Sequence, residues 1–491
     1  MNSGTGVPLV RFWLAAAGLF LKRTGGTPVP LCEFELMKQK LKLVAGSIVA
    51  PRGFKAAGVF CDIKRLGTGK GSQKGRKRDL ALIVSETPAT VAGMFTTNQV
   101  CAAPVKVCLE GVKRGTAQAL VVNSGNANAC TGKQGMADAR EMARLTERVL
   151  NLPRGSVLVG STGRIGVTMP MDHVRAGIIA AGAELGSTID HASNAVEAIM
   201  TSDTRPKEIA VAFKLGGKPV RIGGICKGAG MIQPGMSATG ARPAALPGGL
   251  HATMLCFITT DAAIEAKALQ AALQEATANS FNRITVDGDM STNDTVLVLA
   301  NGLSGNKRLV GRASSRAGSS VASPHRDLVV FQAALNHVCL ELAKKIVRDG
   351  EGVHRVVTVR VNGAKNISDA DAAARAVANS SLVKTSWHGG DPNWGRIIDA
   401  IGYSPATVIE DMVDIGYSAP GNKKILWSLK RGQPTKATFK ELCACVAPKE
   451  FDLHINLNFG KCGAVMYAAD LTEDYVDFNK GDVTDPTTLG G

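Results

Sequence analysis

Residues 250–261 read LHATMLCFITTD, and the interpretation of the whole chain depends on this stretch. Ala252 and Thr253 stand directly before an apolar run at residues 254–258. A short apolar run bounded by polar residues predicts a buried strand, and the preceding glycine- and proline-containing stretch is typical of a loop. Taken alone, the segment indicates a loop that enters a strand, with Thr253 forming only local hydrogen bonds.

Short β-rich runs alternate with amphipathic segments on both sides of this stretch. Strands are predicted at residues 79–85, 117–123, 155–161, 294–301 and 356–362. Apolar residues at helical spacing predict helices at residues 134–150, 172–186, 191–200, 262–280, 328–348 and 370–379. Such alternation predicts an α/β fold, a layered α/β sandwich as the main domain.

A domain boundary is predicted near residue 352, because Gly350-Glu351-Gly352 ends the longest predicted helix and a new strand–helix pattern begins there. The main domain is then formed by residues 37–252 and 253–352. A smaller C-terminal α/β domain follows at residues 353–491. Residues 1–36 form an N-terminal extension or targeting segment.

The composition is that of a globular protein, with 491 residues, 45% hydrophobic and a formal net charge of +16. The positive excess lies in three stretches at residues 1–42, 64–78 and 302–326, of which the last two are rich in Gly and Ser. A nucleic-acid-binding protein is expected to carry its charge on a structured face, so nucleic acid is not predicted as a partner. No apolar run approaches the roughly 18 residues of a membrane-spanning helix, so no membrane partner is predicted either.

The eleven cysteines form no CxxC pair, which predicts reduced cysteines and no metal site. The glycine-rich stretches near residues 66–75 and 223–230 lack the residue order of nucleotide-binding loops. Residues 1–32 hold basic residues and no acid, which weakly resembles a mitochondrial transit peptide, but Met37 is an equal candidate for the start. The predicted location is the cytoplasm, with the mitochondrial matrix as the alternative.

Many separate blocks of the chain resemble the ornithine acetyltransferase (glutamate N-acetyltransferase) family of arginine biosynthesis, from about residue 43 to residue 484. The blocks stand in the family's order at residues 53–58, 94–105, 122–132, 160–166, 201–207, 227–232, 252–261, 281–295, 348–352, 390–397 and 469–479. One block would be a weak signal, whereas this many in order is specific.

The resemblance implies that the precursor cuts itself between Ala252 and Thr253 into an α chain and a β chain. The freed α-amine of Thr253, with an ordinary pKa of about 7.7–8.0, is suited to act as a general base on its own hydroxyl. The implied reaction is a ping-pong transfer of acetyl from N2-acetylornithine to glutamate. An acetyl-enzyme ester on Thr253 is its intermediate.

The family pattern also assigns roles to residues that would otherwise be interpreted as ordinary surface, capping or turn positions. Thr162 and Gly163 are implied to stabilise the oxyanion, which needs fixed donors. Lys227 suits a substrate carboxylate and Glu351 suits an ammonium group. The remaining implied substrate contacts are Thr204, Asn479 and Thr484, besides Thr253 itself.

The resemblance implies no metal or organic cofactor, with acetyl-CoA as an open second acetyl donor. It further implies a heterotetramer of two α and two β chains. Two alternatives stay open. One is an N-terminal-nucleophile aminopeptidase of related architecture, and the other is an inactive, basic binding paralogue.

Three stretches depart from the family pattern. Residues 235–251 lie where about two residues are usual, directly before the bond to be cut, and His251 replaces a Met. Residues 66–74 and 304–320 are further insertions. The Gly/Ser/Arg stretch 304–320 lacks apolar periodicity, so it is expected to be peripheral and dispensable for acetyl transfer.

Overall fold

The computed structural model describes residues 41–64, 77–241, 254–311 and 322–480. Within these ranges lie sixteen strands and eleven α-helices. The strands are β1 Lys42–Leu43, β2 Phe54–Val59, β3 Leu80–Phe95, β4 Thr116–Asn126, β5 Val157–Arg164, β6 Lys207–Leu215, β7 Lys218–Lys227, β8 Leu255–Thr260, β9 Ile284–Thr285, β10 Thr295–Ala300, β11 Val356–Ala364, β12 Asp414–Ser418, β13 Leu426–Lys430, β14 Gln433–Pro434, β15 Glu450–Asn456 and β16 Cys462–Ala469. The helices are α1 Ala103–Val112, α2 Gly132–Val149, α3 Met171–Ala183, α4 Ile189–Ile199, α5 Ala266–Ala278, α6 Ala322–Arg348, α7 Ile367–Asn379, α8 Ser381–His388, α9 Trp394–Gly402, α10 Phe439–Val446 and α11 Glu473–Asn479.

The first sheet is mixed and has nine strands. Its order is β1-β6-β7-β8-β10-β3-β4-β5, with β2 paired to β3 beside this path. Strands β8 and β10 lie at its centre and run parallel, and every residue in both is buried. Such continuous apolar strands are expected where both faces of a sheet are covered.

Each face of the first sheet packs against its own helices. Helices α5 and α6 share one hydrophobic core with β6, β7 and alternate residues of β8 and β10. Leu255 and Phe257 of β8 and Leu297 and Leu299 of β10 belong to a second core with α1 and α4. Helices α2 and α3 cover the end formed by β3, β4 and β5. The predicted layered α/β architecture is therefore confirmed.

A second, seven-stranded sheet has the order β14-β13-β12-β15-β11-β16-β9. Its core is shared with α7, α8, α9 and α10. Strand β9 joins this sheet through β16, although it lies in the chain before residue 352. The two sheets are thus connected by β9 as well as by the link near residue 352.

All the strands and helices predicted from the sequence are present, with shifted ends. Strand β3 continues ten residues past the predicted end at Ser85, through a register shift between Val84 and Ala89 that contains Pro88. A proline and polar residues interrupt the strand pattern there, and proline is tolerated at such irregularities.

Strands β6 and β7 carried no predicted element. Glycine at 223 disrupts the pattern in β7, and a Cβ there would lie 1.8 Å from the Ser47 carbonyl oxygen.

The expectation that residues 304–320 are peripheral is wrong for the first part of that stretch. Leu309 is only 1% exposed and belongs to the core beneath α5 and α6. Its backbone forms hydrogen bonds with Ala263 and Glu265, and Asn306 accepts a hydrogen bond from the Ala263 amide. Residues 312–321 lie outside the described ranges. The sequence does not indicate that Leu309 is a core residue, because the Gly/Ser/Arg stretch around it shows no apolar periodicity.

The start of the stretch 235–251, which is described as far as residue 241, also contacts the main body. Met236 is buried, and its backbone exchanges hydrogen bonds of 3.0 and 3.1 Å with the Asn282 side chain. Ser237 forms an antiparallel bridge with Phe95. Across the described residues, no helix has the length and apolar character needed to cross a bilayer.

Candidate active site

Two of the predicted site residues, Thr162 and Lys227, meet in the interior of the first sheet. Lys227 is the last residue of β7, and its Nζ donates to Thr162 Oγ1 over 3.4 Å. Their exposed fractions are 2% and 1%. Lys227 pairs with Leu255 in the register of β7 and β8, so it stands beside the strand that follows Thr253.

Gly163 follows Thr162 in a conformation that favours glycine. Its φ is +130°, and a Cβ there would lie 2.3 Å from the carbonyl carbon of Gly125. The strand ends β4 and β5 therefore approach closely at this point, and no other residue fits without a backbone shift.

Buried amide side chains hold the backbone next to Thr162. Asn293 Nδ2 donates to the carbonyl oxygens of Ser161 at 2.8 Å and Ala127 at 2.7 Å. Ser161 Oγ donates to Asn123 Oδ1 at 2.6 Å. Because these groups are buried and mutually hydrogen-bonded, the backbone that carries Thr162 and Gly163 is fixed before any substrate binds.

A buried ionic cluster surrounds Lys227. Lys207 Nζ donates to Asp203 Oδ1 at 2.5 Å and also to Asp349, and the amide of Gly228 donates to Asp203 at 2.8 Å. Burial alone would raise the pKa of Asp203, but Lys227 and Lys207 outweigh it and lower the pKa to about 2. Burial lowers the pKa of Lys227, and the Asp203 carboxylate opposes this shift. Asp203 therefore offsets part of the cost of burying a cation at Lys227, whose pKa stays below its ordinary value.

Glu351 and Asn479 also lie together. Asn479 Nδ2, at the end of α11, donates to Glu351 Oε2 at 3.0 Å. The Glu351 amide donates to the Ala229 carbonyl at 2.9 Å, and a Cβ on Gly230 would lie 2.2 Å from Glu351 Oε2. The Glu351 carboxylate thus lies directly over the segment 228–230 that follows Lys227.

Thr204 is exposed and joins the same region through Asp349. Its amide donates to Asp349 Oδ2 at 3.0 Å, and its hydroxyl donates to Asp349 Oδ1. Asp349 also accepts from Lys207 and precedes Glu351 by two residues. The structure therefore connects Thr204 to both the ionic cluster and the Glu351 segment.

The nucleophile itself lies outside the described ranges, as do Ala252 and Thr484. The first described residue after Thr253 is Met254, which is fully buried. Its amide donates to Asp294 Oδ1 at 2.6 Å, and its carbonyl accepts from the Thr295 amide at 3.1 Å. Asp294 thereby holds the peptide nitrogen that is bonded to the Thr253 carbonyl carbon.

Asp294 is an unusual carboxyl group. It is 0% exposed, and its second oxygen, Oδ2, has no hydrogen-bond partner among the described residues. Burial raises the pKa of Asp294 well above its ordinary value, against the opposing effects of the Met254 amide and Lys227. Burial therefore disfavours the charged form of this carboxyl beside the start of β8.

Sequence reasoning assigned no role to four charged residues of this region, namely Asp203, Lys207, Asp294 and Asp349. All four lie inside blocks that carried the family resemblance, at 201–207, 281–295 and 348–352. The available signal was the spacing of Asp203 and Lys207, which is typical of an ion pair on one helical face. Here Asp203 lies in the turn before β6 and Lys207 is the first residue of β6, and their burial depends on tertiary packing that the local pattern does not contain.

Lys227 places a cation at the start of the segment 228–230, and Glu351 places a carboxylate over it. Thr162 lies beside the Lys227 cation. A carboxylate and an ammonium group are the charged ends of a free amino acid. This arrangement on a mixed α/β sheet suits an enzyme that acts on small molecules.

Comparison with known proteins gives the family. The sequence model of the ArgJ family matches residues 55–482. The arginine biosynthesis bifunctional protein ArgJ of Symbiobacterium thermophilum is 46% identical over 440 residues, covering 89% of this chain and 99% of its own. The glutamate N-acetyltransferase of Methanocaldococcus jannaschii is 43% identical over 445 residues, with 89% and 99% covered. The chain belongs to the ArgJ family.

A solved structure is also similar to part of the chain. It is the ornithine acetyltransferase of Mycobacterium tuberculosis in complex with ornithine, 36% identical, with a TM-score of 0.36. The match covers 40% of this chain and all of that one.

Proposed function

We propose that this protein transfers the acetyl group of N2-acetylornithine to glutamate, as its relatives named glutamate N-acetyltransferase and bifunctional ArgJ indicate. The observation that carries the proposal is the placement of Lys227 and Glu351 around the segment 228–230, beside the strand that begins after Thr253. The donor carries a carboxylate and a side-chain ammonium group, and the acceptor carries a carboxylate and an α-ammonium group that loses its proton before attack, so one pair of opposite charges can bind each of them in turn.

Maturation comes first in the proposed mechanism. The Thr253 hydroxyl attacks the Ala252 carbonyl carbon, the C–N bond breaks, and the nitrogen takes up a proton to become the α-amine. Water then hydrolyses the resulting ester and frees the α chain. The new α-amine lies on the same residue as the nucleophilic oxygen, which gives the hydroxyl its own base.

The transfer itself has two halves. Thr253 Oγ attacks the acetyl carbonyl, its proton passes by way of the α-amine to the leaving nitrogen, and ornithine departs with an acetyl ester left on Thr253. The neutral amine of glutamate then attacks the ester carbonyl, the C–O bond to Thr253 breaks, and a proton of the attacking nitrogen passes by way of the α-amine to Thr253 Oγ, which restores the hydroxyl and leaves N-acetylglutamate. In each half the oxyanion is held by Thr162 and Gly163, whose fixed backbone supports this role because preorganised donors need no rearrangement during reaction.

Substrate recognition follows the charges. Lys227 binds the substrate carboxylate and Glu351 the substrate ammonium group, with Asn479 orienting the Glu351 carboxylate. Thr204 and Thr484 contribute polar contacts.

No metal or organic cofactor takes part, since each step uses protein groups alone. Acetyl-CoA stays an open second donor. Assembly as two α and two β chains belongs to the same proposal, as does a cytoplasmic location. The mitochondrial alternative depends on residues 1–36, which lie outside the described ranges.

Replacement of Glu351 by Gln tests the proposal. The variant keeps the size of the side chain but loses the charge that pairs with a substrate ammonium group. Loss of one charge-assisted hydrogen bond is expected to lower kcat/KM for transfer by about one to two orders of magnitude. Self-cleavage uses no substrate and should proceed at the wild-type rate.

The assay measures acetyl transfer to glutamate and acetylornithine hydrolysis without glutamate, for both proteins. Unchanged transfer in Glu351→Gln would remove this residue from the site. Wild-type hydrolysis as fast as transfer would instead favour the aminopeptidase-like alternative.

A further inference from the structure

A cavity of about 620 Å³ lies between the first sheet and the second, and none of the proposed site residues lines it. Its walls come from the turn before β6, the end of α6, the entry to β11 and the loop between α10 and β15. The charged or titratable residues that line it are Arg205, Arg348, His354, Arg355, Lys449 and Glu450. Two valines and an alanine form an apolar part of the wall.

The charge in this cavity is mostly uncompensated. Glu450 is the one acidic residue of the lining, and Arg348 binds it through two hydrogen bonds of 2.8 and 3.0 Å. The His354 ring lies 2.7 Å from the Asp474 carboxylate. Within the described ranges, the side chains of Arg205, Arg355 and Lys449 have no ion pair. Three cations therefore share one cavity without a counter-charge, an arrangement that favours an anionic ligand.

Arg355 is held in place with part of its hydrogen-bonding capacity unused. Its Nη1 donates to the carbonyl oxygens of Trp387 and His388. Its Nε is buried and has no acceptor among the described residues. Buried donors are nearly always paired in folded proteins, so Arg355, a residue of the cavity lining, keeps hydrogen-bonding capacity that the described residues do not use.

We propose that this cavity binds the phosphate groups of a small molecule through Arg205, Arg355 and Lys449. A carboxylate would neutralise only one of the three cations. A single phosphate monoester carries a charge of about −1.5 to −2 at pH 7, and two phosphates match the cavity more closely. Arginine side chains also fit phosphate oxygens in a bidentate geometry.

The site would be coupled to the catalytic region through the backbone. Arg205 follows Thr204, and Arg348 precedes Asp349. Asp349 accepts hydrogen bonds from the amides of both Thr204 and Arg205, at 3.0 and 3.3 Å. A ligand that binds Arg205 therefore contacts a segment that also positions Thr204.

Two sources share this chemistry, namely free inorganic pyrophosphate and the phosphates of a nucleotide such as the adenosine 3′,5′-bisphosphate end of coenzyme A. Calorimetric titration of the full-length protein at low ionic strength distinguishes them, with pyrophosphate, adenosine 3′,5′-bisphosphate and coenzyme A as separate ligands. Tighter binding of the two nucleotides identifies a nucleotide site, and equal or tighter binding of pyrophosphate identifies a site for free phosphate.

Charge-reversal variants locate the binding. Lys449→Glu and Arg205→Glu are expected to weaken binding by about tenfold or more, because each replaces a phosphate contact by a repulsive charge. Both side chains are exposed, so the variants should keep the wild-type melting temperature. Lys423→Glu is the matched control, since it changes the net charge equally at an exposed position on the second sheet's side of the molecule and away from the cavity lining.

The proposal is overturned by either of two results. One is that no ligand binds at millimolar concentration, and the other is that both variants bind as tightly as Lys423→Glu. The titrations are repeated on Thr253→Ala, which should bind equally well. Failure of this proposal is thus measured independently of acetyl transfer.

Discussion

At the residue scale, Asp294 is the most informative position because it contacts the amide that joins Thr253 to β8. Asp294→Asn keeps an oxygen that can accept from the Met254 amide, whereas Asp294→Leu has a similar volume and no acceptor. The Leu variant leaves a buried donor unpaired, which costs about 1–3 kcal/mol, and should slow self-cleavage by about tenfold or more.

The rate of fragment appearance, followed by gel or mass spectrometry, measures this effect, with Asp294→Asn as the matched control. A thermal unfolding scan establishes that the Leu variant is folded. Cleavage of a folded Leu variant at the wild-type rate would show that the Asp294 hydrogen bond does not position the bond to be cut.

Asp203 makes a prediction about stability and pH. Its pKa in the folded protein, about 2, lies below the ordinary value of about 3.9. A depressed carboxyl pKa contributes stability that is present above the unfolded-state pKa and is lost as the pH falls through the folded-state pKa. Asp203→Asn removes the negative charge that offsets the burial of the Lys227 ammonium group. The variant should therefore lower the free energy of unfolding by about 3 kcal/mol or more at pH 7.

Urea unfolding at several pH values tests this, and the difference between wild type and variant should shrink between about pH 4 and pH 2. Asp477→Asn is the control, because its exposed ion pair with Lys480 is expected to contribute less than about 0.5 kcal/mol. A difference that does not change with pH would mean that Asp203 is not ionised in the folded protein.

Individual site residues could be predicted only through the family resemblance. Residue type and spacing give Thr162, Lys227 and Glu351 no special status, since the first lies in a strand, the second at a strand end and the third in a turn. The structure supplies what the sequence lacks, namely the 3.4 Å contact of Lys227 with Thr162 and the placement of Glu351 over Gly230. Lys227 and Thr162 are 65 positions apart in the chain, and Glu351 and Asn479 are 128 positions apart. No local sequence pattern can therefore indicate that they come into contact.

At the element scale, the loop after β10 contributes Leu309 to the main core. Leu309→Ala should lower the free energy of unfolding by about 2–5 kcal/mol, because Leu309 is 1% exposed within the main core. Leu303→Ala is the matched control in the same loop, since Leu303 is 37% exposed and should lose much less. Denaturant unfolding of the two variants measures the difference, and equal losses would contradict the assignment of Leu309 to the core.

Because Leu309 is buried in the core, the expected effect of a deletion depends on whether the deletion includes Leu309. Removal of residues 312–320 should leave acetyl transfer within about twofold of wild type, since this Gly/Ser/Arg stretch has no apolar periodicity. Removal of residues 304–320 also deletes Leu309 and Asn306 and should yield an unstable protein. Activity assays and melting temperatures of both deletions check this. Loss of activity in a folded 312–320 deletion would give that stretch a direct role.

Elements with clear periodicity were predictable, and those shaped by close backbone approach were not. Helix α2 was predicted to within two residues at its start because its apolar residues recur at helical spacing. Strand β7 was not predicted, since Gly223 is required where the strand backbone approaches Ser47. Such a requirement depends on a distant part of the chain.

At the scale of the whole molecule, the proposed site is assembled from the first sheet, the link between the sheets and the last described helix. Thr162 comes from β5 and Lys227 from β7 of the first sheet, whereas Asn479 ends the last described helix. Glu351 lies on the link between the sheets. The layered α/β class was predictable from the alternation of patterns, but the joining of β9 to the second sheet was not, because two residues carry no periodicity.

The central claim is that Thr253 becomes the N-terminal nucleophile of a β chain, and one measurement tests it most directly. Intact-mass spectrometry is performed on the purified protein before and after incubation with N2-acetylornithine, and again after glutamate is added. The account predicts two fragments divided after Ala252, apart from trimming at the N-terminus. The β fragment alone should gain one acetyl group and lose it to glutamate, while Thr253→Ala stays uncut and inactive. Wild-type protein that transfers acetyl groups as one uncut chain, or an acetyl group found on the α fragment, would contradict the account.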